Sequence, residues 1–341
     1  ENITMSLPPV EIPLGAMRFN SDSQKLEYFN GEIWMQVHTF SPNLDGGGRG
    51  LFQGGTDPNA VDTVDYITIS TQGNAIDFGN LVTARSWNTA GFASNTRAVN
   101  PGGFISPDVS NQIDYATIPS IGNYVDFGDL NDSRVAHAGS GNQTRGLICG
   151  GNPANNSSKT NGAEYVTIAS LGNGVDFGDI ATATASLGGN IQSPTRSFFF
   201  GGYTPSNVNT IEFFTTATLG NATDFGDLTT IAGDVPMGCS NSTRGLRGGG
   251  DSPSDTDVID YITISTLGNA LNFGDLSTAV SSAEGSLSSS TRGVFGGIAQ
   301  PVSNKIEYVA IATEGNTVDF GDLTVARSHG NAVSNAHGGL G

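Results

Sequence analysis

The chain has 341 residues, of which 48 are glycine, and only 13% are charged; this is about half the usual quarter of charge and twice the usual glycine, which disfavours helix-rich folds and coiled coils. Fourteen basic residues against 32 acidic ones leave a net charge of −18, arguing against nucleic-acid backbones and anionic membrane surfaces as partners. No run of 18 apolar residues predicts a membrane span, and no basic-then-apolar leader opens the sequence.

In chain order, residues 1–15, with Pro8, Pro9 and Pro13, predict an extended arm. Glu1 is not an initiator residue, so the natural chain is expected to begin earlier or to be processed. Residues 16–40 predict a hairpin, in which Lys25-Leu26-Glu27-Tyr28 echoes Lys305-Ile306-Glu307-Tyr308. From there the chain repeats itself. VDYITISTQGNAIDFGNL (64–81) recurs at 113–130, 163–180, 211–228, 259–276 and 306–323. The acidic anchors Asp65, Asp114, Glu164, Glu212, Asp260 and Glu307 are spaced 49, 50, 48, 48 and 47 residues apart. A second unit, an arginine followed by apolar residues and a double glycine, alternates with the first at Arg97, Arg145, Arg196, Arg244 and Arg292, with an early variant at Arg49.

Each period breaks into four strand-sized pieces, for example 133–141, 144–151, 162–169 and 173–180, separated by Gly, Asn, Pro and Ser clusters. A four-stranded unit of this length, covered on both faces by copies of itself, predicts an all-β fold made of β-propeller blades. The C-terminal His337-Gly338-Gly339 resembles the end of a second strand, which would leave half a blade, and the 16–40 hairpin resembles the missing half. The expectation is therefore a seven-bladed ring over 16–341, its closing blade taking outer strands from the N-terminus and inner strands from Ala326–Leu340. Six blades with a separate N-terminal hairpin is the alternative.

The run of arginine, apolar-apolar-Gly-Gly, acidic-Tyr strand and outer-strand aromatic resembles the kelch repeat, with Phe78, Phe127, Phe177, Phe225, Phe273 and Phe320 where many kelch repeats carry Trp. The GN-x-x-DFGDL element is similar to repeats of virion proteins of marine bacteriophages, cyanophages especially. Residues 12–37, with Arg18-Phe19-Asn20 and Asn30-Gly31 ahead of Trp34, resemble a short module of phage tail-fibre proteins. The resemblance implies a kelch-like propeller in a virion, at a fibre or other appendage, and carries no catalytic residue across.

Residues repeated in every blade read as structural. Asp in a Gly turn accepts backbone N–H bonds, which accounts for the DFGD element. Its alternative is calcium, with Asp126, Asp129, Asp176 and Asp179 as candidate oxygen ligands, although the longer acidic ladder of known calcium loops is missing. Arg97, Arg145, Arg196, Arg244 and Arg292 are expected to pair with the acidic anchors in an internal lattice, or else to face a channel. His38, His137, His329 and His337 form no paired-ligand spacing, and Cys149 and Cys239 read as small buried thiols.

The connections Thr56–Thr63, Phe104–Gln112, Asn152–Thr160, Tyr203–Asn209, Asp251–Asp257 and Ile298–Asn304 differ between copies and are the expected contact surface. The expected function is a non-enzymatic adhesin of the phage surface, oligomeric in the particle, binding a host polysaccharide or receptor and attached to other virion proteins through the arm. A decoration protein touching only virion neighbours is the alternative, and an enzyme acting on glycans the third.

Overall fold

The computed structural model describes residues 12–20, 25–36, 48–153, 158–251, 253–281, 285–297 and 302–340, so most of the expected arm and His38 lie outside the described residues. The chain is all-β, made of small antiparallel sheets. It divides into two units, 1–44 and 45–341.

In the first unit Met17–Asn20, Lys25–Phe29 and Trp34–Gln36 form one three-stranded sheet. The Arg18 guanidinium lies 4.2 Å from the Trp34 ring centre and donates through Nε to Glu27 at 2.8 Å. Hydrogen bonds from Asn20 and Arg18 hold the Glu27 carboxyl below its ordinary pKa.

Among the described residues, the second unit holds six sheets that share one strand plan. The third sheet shows it: Ala138–Gly141, Arg145–Cys149, Gly162–Thr167 and Val175–Asp179 pair in that order. The second sheet is Phe92–Ala93, Arg97–Pro101, Gln112–Thr117, Val125–Asp129; the fourth is Gly188–Gln192, Arg196–Phe200, Thr210–Thr215, Thr223–Asp227. The fifth is Met237–Ser240, Arg244–Gly248, Thr256–Thr263, Leu271–Val280; the sixth is Gly285–Ser288, Arg292–Gly296, Lys305–Ala310, Val318–Asp322. In the third strand of the third sheet Ala163, Glu164 and Val166 are buried and Tyr165 half-buried, as expected of a strand covered on both faces.

The first sheet departs from the expected plan. Its second, third and outer strands are Arg49–Gln53, Asn59–Thr68 and Ile76–Arg85, and its inner strand is Asn331–Ser334 from the far end of the chain. The seven-blade expectation is thereby corrected: the C-terminal strand joins Arg49–Gln53, and the hairpin strands pair among themselves. The physical reason is that Arg49 to Gly55 already has the pattern of a second strand and needs an inner neighbour. Gly338–Leu340, read as the end of a further second strand, is a 3₁₀ turn instead.

Inner strands touch in succession, Phe92–Ala93 to Ala138–Gly141, then Gly188–Gln192, Met237–Ser240, Gly285–Ser288 and Asn331–Ser334, which touches Phe92–Ala93 again. Glycines allow this approach, since a Cβ at Gly189 would collide with the Gly139 carbonyl and one at Gly238 with the Gly189 carbonyl. Serine hydroxyls bind the strands to one another: Ser334 Oγ donates to the Ser288 carbonyl at 2.5 Å, Ser288 Oγ to Ser240 and Ser240 Oγ to Gln192, both at 2.8 Å.

The GN-x-x-DFGD element stitches each sheet to the next. Gly172 N–H donates to the Phe127 carbonyl at 3.0 Å, Asp129 N–H to Asn173 Oδ1 at 3.1 Å, and Gly174 N–H to the Asp129 carbonyl at 2.8 Å. The same three bonds recur between Phe320–Asp322 and Gly73–Ala75, linking the sixth sheet to the first. DFGD is therefore an outer strand carrying a bulge, and the expected tight turn is corrected. The bulge needs glycine. Gly226 has φ +147°, and a Cβ there would lie 2.6 Å from the Gly268 carbonyl carbon and oxygen of the next sheet.

Candidate functional site

The arginines expected to pair with the acidic anchors do something else. Arg145 sits with its guanidinium 4.8 Å from the Tyr165 ring centre, and that ring meets Phe177 edge-on at 5.7 Å. Arg97, Arg244 and Arg292 stack likewise on Tyr115, Tyr261 and Tyr308, and Arg196 on Phe213. Each then reaches a carbonyl of the next sheet: Arg97 Nη1 to Ile168 at 2.8 Å, Arg145 to Ala217 at 2.8 Å, Arg196 to Ile264 at 2.7 Å and Arg244 to Ile311 at 3.1 Å. Arg292 reaches Ile69 at 2.8 Å, and Arg49, from the first sheet, reaches Ile118 at 2.9 Å. The acid-pairing lattice is corrected to a stack on the aromatic, because the guanidinium lies over the ring of the directly neighbouring strand.

The anchors, buried except for the half-buried Glu212, take backbone N–H groups from the segment after the preceding DFG element: Val82 to Asp114, Asn131 to Glu164, Ala181 to Glu212, Thr229 to Asp260, Ser277 to Glu307 and Thr324 to Asp65. Three also receive a buried arginine from that segment. Arg85 meets Asp114 at 2.7 Å, Arg327 meets Asp65 at 2.8 Å, and Arg134 pairs with Glu164. Asp260 instead faces Arg247 of its own sheet at 3.4 Å, and Glu307 faces Lys305 at 2.5 Å. Burial raises the pKa of Asp114, against the opposing pull of Arg85, and also raises Glu212 and Asp260. At Glu307 burial is outweighed by hydrogen bonds from Lys305, Ser277 and Thr317, and its pKa falls.

Of the four calcium candidates, Asp126, Asp129 and Asp176 are exposed and Asp179 is half-buried, on outer strands of two different sheets. Among the described residues no group of three or more His, Cys, Asp or Glu side chains converges. His137 bonds through Nε2 to the Pro101 carbonyl at 3.0 Å, and burial with Arg134 nearby pushes its pKa down to about 3. His337 Nε2 lies 2.8 Å from the Ala93 carbonyl, and burial pushes it to about 4. Cys149 and Cys239 are buried free thiols, raised by burial.

The loops that differ between copies meet a row of backbone positions that the sequence reading did not single out. Trp87, Ala136, Ser186, Asp234 and His329, each just ahead of an inner strand, have φ between +49° and +59°. Such left-handed backbone in non-glycine residues costs about 1–3 kcal/mol and persists where surrounding structure enforces it. Here neighbours hold one another: Ala136 N–H donates to the Trp87 carbonyl at 3.2 Å, Ser186 to Ala136 at 2.7 Å and Val235 to Ser186 at 3.0 Å. The backbone is repeated while the side chains differ. Trp87 stacks on His329 with ring centres 4.1 Å apart and stays 38% exposed. Burial lowers the His329 pKa, against the opposing charge of Asp234.

Beside this row lies a cleft of about 620 Å³ lined by Asn152, Ser186, Tyr203, Ser206, Asn207, Asp234, Asp251 and Pro253, among others. Tyr203 is 44% exposed, with Lys159 Nζ 4.3 Å from its ring centre. Asn207 Nδ2 donates to the Asp251 carbonyl at 3.2 Å. A second cleft of about 340 Å³, lined by Trp87, Phe104, Val109, Val135, Ala136, Asn152 and Ser186, shares Asn152 and Ser186 with the first. Four of the six expected contact loops contribute to these walls, through Phe104 and Val109, through Asn152, through Tyr203, Ser206 and Asn207, and through Asp251 and Pro253. Parts of Asn152–Thr160, Asp251–Asp257 and Ile298–Asn304 lie outside the described residues. No protein-family model matches the chain, and no curated protein is similar to it.

Proposed function

We propose that residues 48–340 form a six-bladed β-propeller of kelch-like type, and that the protein is a non-enzymatic surface component of a phage particle that holds a host saccharide on its loop face. The blade reading is supported by three sets of between-sheet bonds that each run from the sixth sheet back to the first, through Arg292, Asn74 and Asp65. The particle reading is supported by the GN-x-x-DFGDL repeats and the 12–37 module. In it, the N-terminal arm attaches the protein to its virion neighbours.

The observation that carries saccharide binding is the wider cleft, where amide, hydroxyl and carboxylate groups of Asn152, Asn207, Ser186, Ser206, Asp234 and Asp251 surround the exposed Tyr203 ring. Pockets of about 300–1,000 Å³ suit small ligands, and a few polar groups beside an apolar ring fix orientation. The test is binding of the full chain to an array of bacterial surface polysaccharides. Retention that disappears in Asn207→Ala, with unchanged melting, is the expected result; failure to retain any saccharide would sink the adhesin reading.

A decoration protein is the second reading, favoured by one observation. Ile76, Ile121, Val125, Leu171, Leu219 and Leu267 are exposed at recurring places around the outer strands and their turns. Labelling intact particles with antibody to the full chain separates the two: label at fibre tips supports adhesion, and label spread over the capsid supports decoration.

A further inference from the structure

The two clefts adjoin through shared residues, and this bears on the length and charge of the ligand. Resting on the saccharide reading, we propose that they form one trough for an extended, uncharged oligosaccharide, with Trp87 at one end and Tyr203 at the other. Each lobe falls within the size range of a small-ligand site. Asn152 and Ser186 lie at the waist common to both. The exposed rings of Trp87 and Tyr203 offer apolar platforms in different lobes, so a short saccharide engages one and a longer chain engages both. The left-handed backbone at Trp87 and Ser186 presets both the far platform and the waist, which lowers the ordering cost of binding.

Charge sets the second half of the inference. Asp234 and Asp251 line the wider lobe, against one ammonium, Lys159, over Tyr203. The whole chain carries −18. Polyuronate or sulfated chains would be repelled on approach and along the wall. Hydroxyl and acetamido groups instead find acceptors in the carboxylates and both donors and acceptors in the amides.

The test exploits the tryptophans, of which the chain has two. In full-length Trp34→Phe, Trp87 is the only indole, so its emission reports occupancy of the narrower lobe. Malto- and chito-oligosaccharides of two to six units are titrated, with oligogalacturonates of equal length as the anionic set. The expected result is tenfold or greater tightening from dimer to hexamer in one neutral series, with a blue shift of Trp87 emission for the longer members alone. Oligogalacturonates are expected to bind at least tenfold more weakly. Trp87→Asn, which tolerates the left-handed backbone, should abolish the length dependence, while Trp87→Phe restores part of it. Equal affinity for dimer and hexamer, or an unaltered length dependence in Trp87→Asn, overturns the trough and leaves saccharide binding standing. Preference for oligogalacturonate overturns the charge argument alone. Absence of binding by every oligosaccharide overturns the trough together with the reading on which it rests.

Discussion

The outer stitches and the loop face repeat equally well in backbone and oppositely in side chains. At the stitches, Gly172-Asn173 against Phe127-Gly128-Asp129 has the same partners as Gly73-Asn74 against Phe320-Gly321-Asp322. On the loop face, one left-handed conformation is occupied by Trp87, Ala136, Ser186, Asp234 and His329. Where a residue's partners are other copies of itself, its identity is constrained at every junction at once. Where only the backbone is held, the side chain is free to differ, and chemistry that is used once per molecule collects there.

The largest expected break removes residues 331–340. This strips the inner strand from Arg49–Gln53 and uncovers Leu51 and Phe52, which are fully buried. The truncated chain is expected to lose its single cooperative unfolding transition, read by circular dichroism on heating. Next is Arg85→Met. It leaves Asp114, fully buried, without the guanidinium at 2.7 Å, and loss of one partner of such a pair costs about 3–5 kcal/mol. Urea unfolding measures this, and a double change with Asp114→Leu should recover most of it.

Glycine changes of opposite sign sharpen the comparison. Gly226→Ala places a methyl against the Gly268 carbonyl at φ +147°, and should cost about 1–3 kcal/mol. Ser186→Gly relieves a left-handed residue at φ +55°, and should raise stability by up to about 1 kcal/mol. Two losses of similar size would show that the loop face is as tightly packed as the stitches.

Acid probes a single buried ring. His337 Nδ1 accepts from Gly339 N–H at 3.1 Å while Nε2 faces the Ala93 carbonyl, an arrangement of the neutral ring. Its folded pKa, about 4, lies below the ordinary 6.5, so between those values the unfolded chain binds more protons. Its contribution is therefore intact above pH 6.5 and is lost as pH falls toward 4. Relative to His337→Gln, the parent should lose up to about 1.4 kcal/mol more per pH unit in that window.

Much of this was legible. The 47–50 residue period and turn chemistry predict the strands and the all-β class, and the varying loops hold most of the cleft wall. The acid-binding arginines were missed although Arg85, Arg134 and Arg327 each stand four residues after the leucine that closes a DFG element, at Leu81, Leu130 and Leu323. That spacing occurs in three of six copies, and the more regular arginines drew the assignment instead. The left-handed row leaves no residue signature, because backbone conformation there is imposed by neighbouring sheets. The final strand was misplaced because Asn331–Ser334 is short and its partner lies at the other end of the unit.

That partnership also sets a clock. Arg49 N–H bonds to Asn335 Oδ1 at 2.7 Å across 286 residues of sequence. At about 5–20 residues per second, ribosomes need roughly 15–60 s between making the two. Throughout that interval Arg49–Gln53 presents a bare hydrogen-bonding edge, the kind of surface on which strands from other chains pair. A neighbouring nascent chain that has already released its own Asn331–Ser334 offers the same four residues, so crowded synthesis favours exchange of this strand between molecules. Slow, dilute expression is the condition under which each chain keeps its own.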